Sequence, residues 1–259
     1  MNLKIGLALS GGGARGVFHI GVLQALEEHK IEISIVSGTS AGAIVGSLFC
    51  AGVSPKEIMD LALQTSWYKF LVPGIPSNGL TKLSYLKDIL SKNIPENTFE
   101  SLKIPLVISA TNMNLGILDL FDRGELYKPV LASCSIPMIF KPVHINNQMY
   151  LDGGILMNLP ATPIKRSCDF LIGSSLIPLT EVHNKDLTGY FNLMTRVLEL
   201  SVHNNSSNQK KQCDILIETD KIAKFPKFDL KEARELYKLG YETTQKILSQ
   251  SGVMERVFN

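Results

Sequence analysis

The sequence predicts an α/β fold: a mostly parallel central sheet sandwiched between helices, in three layers. Three observations predict it. Ile5–Leu9 is a continuous apolar run, the pattern of a strand buried on both faces. Strand-like runs alternate with helix-like runs along most of the chain, which argues for parallel strands joined by crossover helices. Hydrophobic residues make up 45% of the 259 and charged residues 19%, enough apolar material for a large core. That length suits a single domain over 1–259, with a motif-bearing core at about 4–175 and a helical and strand-like extension at about 180–259.

The elements follow in order. After Ile5–Leu9, apolar residues at Val17, Ile20, Leu23 and Leu26 have helical spacing and predict a helix over Val17–His29. Ile31–Val36 is rich in β-branched residues and reads as a second strand. Ala43–Cys50 is apolar all round, a deeply buried helix. Ser54-Pro55-Lys56-Glu57 offers an N-cap, a first-turn proline and a capping-box glutamate. The next helix runs into Trp67–Pro76, where aromatics and helix breakers mix; this stretch reads either as a lid against lipid or as core packing beside a proline turn. Leu83–Leu90 is an amphipathic helix. Pro105–Ala110 and Gly116–Phe121 are strands, Tyr127–Cys134 is a helix, and Gln148–Leu151 and Phe170–Ile177 are strands. Asn184–Gln212 is polar and asparagine-rich, expected to be helical around Leu193–Leu200 with a mobile tail. Asp214–Thr219 is a late strand, and Asp229 with Glu232 is expected to cap a final helix.

Composition narrows the function. A net charge of +2 with no basic block argues against nucleic acid as a partner. The four cysteines, Cys50, Cys134, Cys168 and Cys213, form no C-x-x-C pair and read as reduced thiols, consistent with a cytoplasmic protein. No secretory signal is visible and no apolar run reaches the ~20 residues of a membrane span, so membrane contact is expected to be peripheral. Oligomeric state is not readable.

Two glycine-punctuated turns carry chemistry. Gly11–Gly16 satisfies G-x-G-x-x-G, which suits either a dinucleotide or some other anion held by backbone N–H groups. A dinucleotide site needs an acid at the end of the second strand to hold the ribose. Here Glu32 lies at that strand's start, and its end carries Ser37-Gly38-Thr39-Ser40. Gly38-Thr39-Ser40-Ala41-Gly42 matches G-x-S-x-G between a strand and a helix, the setting of a nucleophile elbow with Ser40 at its apex. If the first two strands are parallel neighbours, Gly11, Gly12 and Gly13 can direct N–H groups at a carbonyl oxygen under attack by Ser40.

Ser40 needs a base. His183 and His203 follow the nucleophile as a hydrolase triad requires, but in polar, mobile-looking sequence; His19, His29 and His144 read as surface or satisfied core residues. Tyr150-Leu151-Asp152-Gly153-Gly154 places a carboxylate at a strand end facing a turn, although Asp-Gly is also an ordinary turn pair. Arg15 reads equally as shaping the glycine loop or meeting an anion, and as a tie to a nearby carboxylate or carbonyl.

Taken together, Gly-Gly-Gly-x-Arg-Gly at 11–16, Gly-x-Ser-x-Gly at 38–42 and Asp-Gly-Gly at 152–154 resemble the patatin-like phospholipases, a likeness extended by Ser135-Ile136-Pro137 and Asn158-x-Pro160. It covers most of residues 4–175. The resemblance implies a patatin-like three-layer architecture, a Ser40–Asp152 dyad, an oxyanion hole from Gly11–Gly13 and supporting roles for Arg15, Gly38, Gly42 and Gly153. It implies hydrolysis of lipid acyl esters with no metal and no cofactor. Ser10 stands where many members carry an aspartate. Two other readings stay open: a nucleotide- or phosphate-binding module using Gly11–Gly16, and a catalytically silent scaffold.

Overall fold

The computed structural model describes residues 3–64, 83–250 and 252. β1 (Ile5–Leu9) passes through a 3-10 turn, Gly13–Gly16, into α1 (Val17–Glu28), and β2 (Ile33–Gly38) turns into α2 (Ala41–Cys50). Next come α3 (Pro55–Gln64), α4 (Ser84–Asn93), β3 (Leu106–Asn112), β4 (Ile117–Phe121), α5 (Tyr127–Ser133), β5 (Val143–Ile145), β6 (Gln148–Asp152), α6 (Thr162–Lys165) and β7 (Phe170–Ser174). α7 (Tyr190–Lys210), β8 (Ile215–Ile217) and α8 (Ala233–Leu248) follow. Trp67–Pro76 lies outside the described residues.

The described strands form one eight-stranded sheet in the order β5-β6-β3-β2-β1-β7-β8, with β4 alongside β3. β3, β2, β1, β7 and β8 are parallel; β4, β6 and β5 join antiparallel. Every residue of β1 is buried because helices cover both sides of it. Alternation then sorts the side chains. Leu7, Leu9, Val36, Ile108, Ile172 and Ile217 face the large core, which includes residues of α1, α2 and α8. Ala8 and Leu171 face a thinner core closed by Leu159, Ala161 and Ile164. The three layers are therefore unequal.

α8 crosses α1 at very short range. A Cβ at Gly21 would stand 2.1 Å from the Tyr237 carbonyl oxygen, and one at Gly240 would stand 2.1 Å from that of Phe18. The capping box at α3 is formed: Ser54 N and Oγ both donate to Glu57 Oε2 (2.9 and 2.6 Å), and Glu57 N donates back to Ser54 Oγ at 3.3 Å. None of the described helices is long and apolar enough to cross a membrane.

Two expectations need correction. The asparagine-rich stretch is not a short helix with a mobile tail. α7 runs unbroken through Asn204, Asn205 and Asn208, because its polar side chains find distant backbone partners that outweigh their weak helix propensity. Gln209 Oε1, for example, accepts from Thr162 N at 2.9 Å and Thr162 Oγ1 at 2.8 Å. At the last helix, Asp229 is not the cap. Its Oδ1 accepts from Lys231 N at 2.9 Å, closing an Asx turn, and α8 starts at Ala233.

Candidate active site

Strand register brings the three motifs together. Leu9, last in β1, pairs with Gly38, last in β2. Gly38 pairs with Ile108 of β3, and one pleat further on Ala110 pairs with Asp152 of β6. The glycine run leaving β1, the elbow leaving β2 and the acid ending β6 are thus neighbours at one edge of the sheet.

Ser40 sits in the left-handed half of backbone space (φ 52°, ψ −118°), a strained conformation for a residue with a side chain. The turn is held from several sides. Ser40 N donates to Ser133 Oγ at 2.8 Å, and the Ser40 carbonyl accepts from Ala43 N and Ile44 N. Gly42 is required by crowding: a Cβ there would stand 2.2 Å from the Leu9 carbonyl oxygen, and one at Gly38 would stand 2.5 Å from the Gly42 carbonyl oxygen. α2 begins at the next residue and presents its positive end here.

Asp152 is 7% exposed. Its carboxylate lies within reach of the Ser40 side chain, which favours the charged form, and its Oδ1 accepts the Gly154 N–H at 2.7 Å. Burial pushes its pKa up to about 6, against the opposing pull of Ser40 and of the Gly154 N–H. Its backbone is fixed as well: Asp152 N donates to the Ser135 carbonyl at 3.0 Å, and Thr111 Oγ1 donates to the Asp152 carbonyl at 2.9 Å. Gly153 lies so close to β3 that a Cβ would stand 2.4 Å from the Ser109 carbonyl oxygen.

The glycine run divides. The sequence grouped Gly11, Gly12 and Gly13 as donors, but the Gly11 N–H is committed to the Asn158 carbonyl at 3.1 Å, which removes it from the set. Ala14 N donates to the Lys227 carbonyl at 2.7 Å. Among the described residues the N–H groups of Gly12 and Gly13 donate to no backbone carbonyl. Gly13 has φ +60°, and a Cβ on it would stand 2.3 Å from the Lys227 carbonyl oxygen.

Arg15 forms the tie to carbonyls. It is buried, and its Nε and Nη2 donate to the Phe225 and Ala223 carbonyls, each at 2.9 Å. His19 is fully buried, with Nε2 2.8 Å from the Ser10 carbonyl and Nδ1 2.8 Å from Ser174 Oγ. A carbonyl only accepts, so Nε2 carries the hydrogen and Nδ1 accepts from the Ser174 hydroxyl. Burial lowers the His19 pKa to about 4, making it a neutral core residue. His29 bonds the Ala25 carbonyl at the end of α1. Among the described residues no histidine bonds to Ser40 or Asp152.

Two cavities meet at Ser40, and Gly13 and Ile136 also line both. One, of about 920 Å³, is walled by apolar side chains such as Ile20, Val45, Leu48, Leu86 and Phe140. The other, of about 760 Å³, is lined by Asp152, Gly12, Leu198, Val202, Glu199 and Lys227. Several residues that hold the site had no signal in the sequence. The clearest is Asn205 of α7, whose Nδ2 donates to the carbonyls of Gly154 (2.9 Å) and Ile155 (3.1 Å) while its Oδ1 accepts from Asn158 N (3.0 Å). It clamps the segment that follows the acid.

Residues 7–164 match the family model described as patatin-like phospholipase. An uncharacterised NTE family protein of Mycobacterium tuberculosis is 35% identical over 177 residues, covering 67% of this chain and 49% of that protein. Lysophospholipase NTE1 of Saccharomyces cerevisiae is 28% identical over 215 residues, covering 79% of this chain and 13% of that protein. The chain spans about half the length of the mycobacterial relatives it matches. Among solved structures, VipD from Legionella pneumophila shares the fold with a TM-score of 0.62 at 16% identity, over 96% of this chain and 67% of that one.

Proposed function

The chain belongs to the patatin-like phospholipase family, and from that premise we propose that it hydrolyses lipid acyl esters through a Ser40–Asp152 dyad. The observation that carries this reading is a buried carboxylate that shares a cavity with, and is acted on by, the serine of a strained elbow at the mouth of an apolar cavity. Asp152 takes the Ser40 proton as Oγ attacks the acyl carbonyl. The developing oxyanion meets the N–H groups of Gly12 and Gly13; losing one such donor costs roughly 3 kcal/mol. Asp152 then gives its proton to the departing alcohol. A water activated by Asp152 releases the fatty acid from the acyl-serine. Its pKa of about 6 makes this carboxylate a better base near neutrality than an exposed aspartate.

The apolar cavity takes the acyl chain, and the cavity on the Asp152 side takes the alcohol. The relatives named lysophospholipase support a single-chain lysophospholipid as substrate. Such substrates sit in membranes or micelles. Tyr190, Leu193, Val197 and Leu200 form an exposed apolar stripe along α7, which supports peripheral contact with a lipid surface. The phosphate-binding alternative is weakened because the Gly11 and Ala14 N–H groups are already engaged.

The test is labelling with a lipid-like fluorophosphonate. The probe is expected on Ser40, with turnover of lysophospholipid lost in Ser40→Ala. A label mapped elsewhere, or turnover retained by that variant, would reject the dyad.

A further inference from the structure

Away from the dyad, charge gathers in one place. Arg196 Nη1 pairs with the Glu199 carboxylate at 3.1 Å, Lys227 Nζ pairs with its other oxygen, and Glu199 in turn acts on Arg15 through space. Among the described residues Glu199 is the only carboxylate acting on Arg15 or Lys227. Three cations therefore share one anion. All are poorly solvated: the Arg196, Lys227 and Glu199 side chains are 17%, 21% and 26% exposed, and Arg15 is buried. Cations crowded together away from water are costly unless a further anion joins them. Burial accordingly lowers the Lys227 pKa, with Arg15 and Arg196 acting in the same direction and Glu199 opposing.

Location gives the cluster a purpose. Lys227 and Glu199 line the same cavity as Ser40, Asp152 and Gly12. The Lys227 carbonyl holds Ala14 N, so this residue is anchored directly against the glycine loop. Behind it lies a further cavity, lined by Arg15, Arg196, Lys227, Glu199 and His203. His203 Nδ1 is buried there with no hydrogen-bond partner. Two cavities thus border one set of under-neutralised cations, and one of them also holds Ser40.

We propose that Lys227, backed by Arg196, is the subsite for a phosphate on the alcohol portion of the ester substrate. Glu199 keeps the two cations in place between turnovers, and the phosphate adds the missing negative charge when substrate enters. A lysine suits this role because its ammonium is a compact charge that can shift from a carboxylate to a phosphate without a fixed fork geometry. This deepens the hydrolase reading and rests on it. It predicts discrimination in favour of phosphate-bearing esters over neutral ones with the same acyl chain.

The experiment measures kcat/KM for lysophosphatidic acid and for monoacylglycerol of the same acyl chain. The wild-type protein is expected to favour the phosphate-bearing ester by about tenfold or more, the size of one charge-assisted hydrogen bond. Lys227→Gln and Arg196→Gln should each collapse that ratio through KM of the phosphate substrate. Lys227→Arg should restore it, and Glu199→Gln should raise it. A purely structural salt bridge would lower both rates together and leave the ratio alone; that result overturns the subsite. So does turnover of both esters without preference, although the hydrolase reading then stands. Turnover of neither, with Ser40 unlabelled by the fluorophosphonate, ends both. If inorganic phosphate alone stimulates monoacylglycerol turnover and Lys227→Gln removes the stimulation, the anion is a free ion and the head-group assignment falls.

Discussion

Residues up to about 175 and residues beyond it build the site by different means. In the first part, Ser40, Asp152 and the glycine run reach one sheet edge through strand register alone: Leu9 against Gly38, Gly38 against Ile108, Ala110 against Asp152. In the second part, side chains and carbonyls reach back across the molecule to hold the loops that register leaves loose. Asn205 fixes the turn after Asp152, the Lys227 carbonyl fixes Ala14, and the carbonyls of Ala223 and Phe225 fix Arg15. Register brings the candidate groups into the same neighbourhood, while orienting a donor or a carboxylate requires a second set of contacts. Catalysis is sensitive to misplacement by about 1 Å, so both sets matter.

The largest effect tests the first region. Ser40→Ala and Asp152→Asn should each cost at least about a thousandfold in kcat while far-UV circular dichroism is unchanged. Asp152→Asn should also raise stability at pH 7. The carboxyl moves from 3.8 unfolded to about 6 folded, so its ionised form penalises the fold. The penalty is absent below about pH 4 and complete above about pH 6, where it is on the order of 3 kcal/mol. Melting curves of the variant and the wild type should therefore diverge above pH 6 and converge below pH 4. Equal curves at pH 7 would mean that the carboxylate is better solvated than its burial implies.

The next effect tests the second region. Asn205→Leu removes three hydrogen bonds from the acid loop and should lower kcat by ten- to a hundredfold, read as slower fluorophosphonate labelling of Ser40. Full activity in this variant would break the comparison, because register alone would then be sufficient. A pH profile of kcat/KM should rise with an apparent pKa near 6 and flatten above it, about tenfold lower at pH 5 than on the plateau. Arg15→Lys, which loses the planar fork across two carbonyls, should slow labelling severalfold. The smallest effect belongs to the α7 stripe: Leu193→Asp with Val197→Asp should weaken vesicle binding in flotation assays severalfold.

What the sequence revealed follows the same division. The glycine run, the elbow and Asp-Gly-Gly are legible because each needs particular residue types at fixed spacing: Gly42 has no room for a Cβ beside Leu9, and Gly13 has none beside Lys227. Strand positions were legible from apolar runs, with β2 starting at Ile33 rather than Ile31. The clamps were not. Asn205 reads locally as a helix-weakening residue, and its partners lie 47 to 51 positions away. Lys227 acts on Ala14 through its carbonyl, which any residue carries, so its identity holds no clue to that role. The loss of the Gly11 N–H to Asn158 is equally invisible, since a backbone bond leaves no mark on composition.

The distance in sequence between Arg15 and its carbonyl partners, 208 and 210 positions, has a consequence for biosynthesis. A chain emerging from the ribosome possesses its serine, its aspartate and every glycine of the loop long before residues 223–227 exist. The glycine loop proposed to meet the oxyanion is held only when that segment docks. A polypeptide synthesised only as far as residue 222 thus has its serine elbow and its acid but lacks the carbonyls that hold Arg15 and Ala14, so the proposed hydrolase gains an ordered glycine loop only after residues 223–227 have been made.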